Sequence, residues 1–149
     1  MNQDFHSAYD TAQKNGISSR EAEARGLLSC ANILEAARQP GCSRQEFGDA
    51  IRHNQRLWTF FQVSLCEPEN PLPHDLKVLL FNLSCYVDKV SFRAISERNP
   101  DLLRGLININ RTLASGLTKQ VEGTAIALQE TMTPSAPPEG MITSISTTA

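Results

Sequence analysis

The chain reads as all-α, a compact bundle of about five helices with a flexible C-terminal tail. Three observations predict this. Apolar residues recur at intervals of three and four through most of the first 122 positions, and two Ser-x-x-Glu capping signatures precede such runs. No Asn-Gly or Asp-Gly pair separates two alternating β-type runs. From Gly123 onward Thr, Ser and Pro dominate, with only Glu130 and Glu139 charged. The expected division is therefore a helical domain over 1–122 and a tail over 123–149.

The first predicted helix runs from Asp4 to Lys14, with Phe5, Ala8, Tyr9 and Ala12 on one face and Asn15-Gly16 as its stop. It should lie over the bundle like a clasp. Ser18 with Glu21 opens the second, in which Leu27, Cys30, Leu34 and Ala37 follow at helical spacing up to Pro40-Gly41. Gly26 and the many alanines would permit close approach of another helix, and as helix formers the alanines need no such reason. Ser43 with Glu46 repeats the capping box and opens a long helix to about Cys66. Its inward stripe is Phe47, Ala50, Ile51, Asn54, Trp58, Phe61 and Leu65. The three prolines between Glu67 and Pro73 give an extended connection pinned by an inward Leu72.

His74 to Glu97 carries two apolar stripes on opposite sides. Leu76, Leu79, Leu80, Leu83, Val87, Val90 and Ala94 form one, and Val78, Phe81, Cys85 and Phe92 form the other. A helix apolar nearly all round lies either in the middle of a bundle or under a partner. Central placement is the expectation, with Lys89 and Arg93 bordering the back stripe. Asn99-Pro100 then caps a last helix with Leu103, Leu106, Ile107, Asn110, Leu113, Ala114, Leu117 and Val121 inward.

Two asparagines interrupt otherwise apolar stripes. Asn54 and Asn110 hold equivalent angular positions in their helices, and each is followed closely by an arginine, Arg56 and Arg111. A buried amide without a partner costs about 1–3 kcal/mol. The two should therefore bond each other or a loop backbone, fixing the bundle's register together with Arg56, Trp58 and Arg111.

Composition removes several function classes. Fourteen basic against sixteen acidic residues leave a formal charge of −2, which exerts no long-range pull on nucleic acid or anionic membrane. Neither a secretory leader nor an apolar run of about eighteen residues is evident, so a cytoplasmic protein is expected. The four cysteines, Cys30, Cys42, Cys66 and Cys85, form no C-x-x-C pair and read as buried thiols. His6, His53 and His74 show no metal-ligand spacing, and no glycine-rich phosphate loop is present. No catalytic centre, metal site or cofactor is expected.

Several short passages in order carry a resemblance. Asn54-Gln55-Arg56-Leu57-Trp58, Asn70-Pro71-Leu72-Pro73, and Asn110-Arg111 running to Gly116-Leu117 resemble the FlaF family of flagellar biosynthesis regulators in alphaproteobacteria. Ala8-Tyr9 with Ala12-Gln13, and Ser19-Arg20-Glu21 with Glu23, fit the start of that family. The likeness spans residues 5 to about 120. It departs at Leu113-Ala114-Ser115, where a methionine is common, and in a tail longer than the family's.

The resemblance implies a protein that promotes flagellin production and export by binding flagellin as a secretion chaperone, working beside the translation regulator FlbT. It brings no catalytic residues. Flagellin's amphipathic terminal helices are the implied client, and the back stripe would receive them in a helix-in-groove mode. Val78, Phe81, Cys85 and Phe92 would be anchors, with Lys89 and Arg93 at the rim. The alternative is a post-transcriptional regulator that contacts flagellin mRNA directly or serves as an adaptor for FlbT. Arg44, Arg52 and Arg56 flank one helix, but Glu46 and Asp49 dilute them and no aromatic ladder accompanies them. A homo-oligomer that buries the back stripe is a further arrangement compatible with the sequence.

Overall fold

The computed structural model describes residues 19–118 and Met132. These form four α-helices, α1 (Ser19–Ala37), α2 (Arg44–Cys66), α3 (His74–Glu97) and α4 (Leu103–Thr118), with a 3-10 turn at Pro100–Leu102 leading into α4. No strand occurs among the described residues. The expected Asp4–Lys14 helix, Ser18, Val121 and all of the expected tail except Met132 lie outside them. Met132 is helical and half-buried against the core, within the stretch read as tail.

Local chemistry accounts for the helix ends. Ser43 Oγ accepts from the Glu46 N–H at 3.1 Å while the Ser43 N–H donates to Glu46 Oε2 at 2.9 Å, which completes the capping box at the start of α2. Hydrogen bonds to Ser43 hold the Glu46 carboxyl below its usual range. At the far end, Asn70 Nδ2 donates to the Ser64 carbonyl at 3.0 Å and Asn70 Oδ1 accepts from the Leu72 N–H at 3.0 Å. One side chain thereby closes α2 and turns the proline-rich connection. Helix α3 stops at Arg98, whose φ of 52° and ψ of 43° are left-handed, and Asn99 Oδ1 then accepts from the Asp101 N–H at 3.0 Å. A non-glycine residue in that region costs about 1–2 kcal/mol.

The core corrects the expected centre of the bundle. Helix α4 buries Leu103, Leu106, Ile107, Ile109, Asn110, Leu113, Ala114 and Gly116, about half of its circumference, and packs most extensively against α1. Helix α3 lies at the side, mainly against α2. Leu83, Val87, Val90 and Ala94 of its front stripe are buried, but Leu76, Leu79 and Leu80 are only half-buried. Two apolar stripes therefore marked an uncovered helix rather than a central one.

The α2 stripe fades similarly. Phe47 to Trp58 is inside, whereas Phe61 and Leu65 are half-buried, and Phe61 meets Trp58 edge to face at 5.6 Å and 87°. Gly26 does not serve a close approach: a Cβ there would stand 3.5 Å from Leu57 Cδ1, an ordinary contact. The cysteines are free, but only Cys30 is buried; Cys42 is half-buried, and Cys66 and Cys85 are exposed, contrary to the expectation of four buried thiols.

Candidate partner-binding face

Helix α3 is pinned from one side. Its buried residues repeat at three and four, so the positions half a turn away must face outward. Val78 is 45%, Phe81 44% and Phe92 72% exposed, and Cys85 is exposed between them. Lys89 and Arg93 border this stripe, and Arg93 Nε donates to Glu97 Oε1 at 3.2 Å. The structure thus puts all six expected binding residues on the outer side of α3. Ile95, 37% exposed, extends the apolar surface toward the helix end and was absent from the expected set.

The helix is held at its position by polar contacts to α2. Gln62 Nε2 donates to Ser84 Oγ at 2.9 Å and to Asp88 Oδ2 at 3.1 Å, and Ser84 Oγ donates to the Phe81 carbonyl at 2.6 Å. Asp88 is half-buried in this bridge. The clamp grips the side of α3, and Val78, Phe81, Cys85 and Phe92 on its outer face are exposed.

Deeper in the bundle, Asn110 joins two helices. Its Nδ2 donates to Asn54 Oδ1 at 2.7 Å, and its Oδ1 accepts from Trp58 Nε1 at 2.9 Å. Both amides are fully buried, and Asn54 Nδ2 is left without a partner among the described residues.

The two arginines expected beside this trio are elsewhere. Arg56 is half-buried on the groove between α1 and α2, near Cys30, and Arg111 is exposed with its Nη2 3.8 Å from Glu35 Oε2. Burial pushes the Cys30 thiol up to about 12, against the opposing pull of the Arg56 guanidinium.

Among the described residues, no group of three or more His, Cys, Asp or Glu side chains is placed to hold a metal ion. No described helix is long and apolar enough to cross a membrane.

Fold and surface together define a small helical-bundle protein with one helix apolar on both its covered and its uncovered side. Comparison with known families carries this further: the family model described as flagellar protein FlaF matches residues 5–117. The chain belongs to the FlaF family of flagellar proteins. No curated protein and no solved structure matches it.

Proposed function

We propose that this flagellar protein promotes flagellin production and export in the cytoplasm by binding flagellin's terminal helices as a secretion chaperone. The observation that supports this most is Phe92, 72% exposed on a helix whose opposite side is buried. Phe81 and Val78 continue that surface along α3, and a large aromatic left in water beside other apolar side chains is the usual mark of an interaction site. A client helix lies alongside α3, its own apolar stripe against these anchors and its acidic flank beside Lys89 and Arg93. No covalent chemistry is involved, and FlbT joins as a further protein partner.

Contact with flagellin mRNA draws less support. Its basic flank divides, since Arg56 turns into the α1–α2 groove and Arg52 pairs with Asp49 at 3.0 Å. Capture of flagellin should hardly change with salt, whereas RNA binding falls steeply.

Co-purification tests the proposal, first with full-length flagellin and then with flagellin lacking its terminal helices. The full-length protein should be retained and the truncated one lost. Phe81→Asp with Phe92→Asp should abolish retention without lowering Tm. Equal retention of truncated flagellin would rule out this docking mode.

A further inference from the structure

A cleft of about 400 Å³ lies where the start of α2 meets the end of α3. Arg44, Arg52 and Arg98 line it around a floor of Phe47, Gly48 and Ile95. Its charge is unbalanced. Arg52 pairs with Asp49 at 3.0 Å, both side chains more than half exposed, while Arg44 and Arg98 form no ion pair among the described residues.

Two residues of this cleft are poor choices for their local backbone. Gly48 sits inside α2, where alanine would favour the helix. A Cβ at that position would stand 3.1 Å from Arg52 Nη1 and 3.2 Å from Nη2, so alanine would press the guanidinium away from where it lies across the helix by a few tenths of an ångström. Arg98 ends α3 with a left-handed backbone, where glycine is the usual occupant, and no other non-glycine residue described has positive φ. Each unfavourable choice puts a guanidinium on the wall of the same cleft. Stability given up at adjoining positions, with the same chemical result, points to binding rather than folding.

We propose that this cleft recognises an acidic peptide segment, whose carboxylates meet Arg44, Arg52 and Arg98 while one apolar side chain seats on the exposed Ile95. Guanidinium forks match carboxylates in geometry as well as charge. The floor argues against RNA as the occupant, because Phe47 is only 6% exposed and offers no ring face for base stacking. This site meets the end of the outer α3 surface at Ile95 but does not include Phe81, and it does not depend on flagellin capture there.

Fluorescence anisotropy of the full chain with a short fluorescein-labelled peptide of alternating glutamate and leucine tests the proposal. The informative variants are Gly48→Ala and Arg98→Gly, since each removes a local penalty. Each should raise Tm by about 3 °C while weakening the peptide about fivefold, the upper worth of one exposed ion pair. The same peptide with glutamine for glutamate should fail to bind. Phe81→Asp should bind the acidic peptide as well as the wild type does. The proposal is overturned if both variants hold the acidic peptide as tightly as the wild type, or if the glutamine peptide binds equally. It is also overturned if a single-stranded oligouridine binds more tightly than the peptide and is lost in the same variants.

Discussion

Asn110 Nδ2 donates to Asn54 Oδ1 over 2.7 Å inside the bundle, joining α4 to α2 where neither amide reaches water. The bond is asymmetric in its consequences. Asn110 also accepts from Trp58 Nε1 at 2.9 Å, whereas Asn54 brings a second donor that finds nothing. Removing Asn110 orphans both the Trp58 N–H and Asn54 Oδ1, while removing Asn54 orphans one Asn110 donor and eliminates an unpaired one.

Asn110→Leu should therefore cost more stability than Asn54→Leu, because it leaves two more buried groups unsatisfied, each worth about 1–3 kcal/mol. Urea denaturation measures both, and the double substitution should cost less than the sum of the singles because the groups share partners. An Asn54→Leu loss as large as that of Asn110→Leu would remove the asymmetry, whereas an Asn54→Leu variant with unchanged Tm and unchanged partner binding would reject the register role of the asparagines.

Cys30 should make the fold sensitive to alkali. Burial raises its folded thiol to about 12 from an ordinary value of 9.0, so the unfolded chain gives up this proton at lower pH than the folded one does. A raised folded value contributes its full stability below the unfolded value and loses it as pH climbs toward the folded one. The urea midpoint should fall between pH 9 and 12, and Cys30→Ala should show a shallower fall. Parallel profiles for the two proteins would sink the assignment. In the native state Cys66 and Cys85 should react with a thiol reagent well before Cys30 does.

Periodicity made the helices legible, and it made the asparagine pair legible too, because a polar residue at a core angle is conspicuous when two helices carry one each. The placement of α3 was not legible. A count of apolar positions shows how much of a helix avoids polar residues, but not whether a neighbour covers it, and Phe92 looks the same in sequence whether enclosed or bare. Ile109 was missed for the converse reason: it lies off the main stripe of α4 and is buried because α4 is enclosed on a wider arc than one stripe describes.

The arginine cleft draws on positions 44 to 98, and each arginine alone looks like a solvated charge. Its signals were local and unfavourable. They are a glycine four residues before Arg52, and an arginine at the stop of α3 where glycine is usual.

Gly26 offers a control on that argument. A Cβ there would meet only Leu57 side-chain carbons, at 3.5 and 3.9 Å, and no backbone. Gly26→Ala should thus stabilise the protein by about 0.5–1 kcal/mol through the lower entropy of the unfolded chain and the better helix propensity. A loss of stability in the denaturation curve would mean that α1 and α2 pack too tightly there to admit a methyl. Unlike Gly48→Ala, this substitution should leave acidic-peptide binding alone.

The two sides of α3 should respond oppositely to truncation. Leu83 is fully buried, so Leu83→Ala opens a cavity and should cost about 2–5 kcal/mol. Phe92→Ala removes a larger side chain, yet 72% of Phe92 already faces water and no packing collapses around it, so the stability change should stay within about 0.5 kcal/mol. Flagellin retention should show the reverse order. A protein weakened by Leu83→Ala but held below its melting temperature should still bind flagellin, because the outer stripe is intact, whereas Phe92→Ala should bind it poorly while folding normally. If Phe92→Ala instead lowers Tm by as much as Leu83→Ala does, Phe92 is a folding residue covered by some part of this chain, and the outer side of α3 is not free for a client.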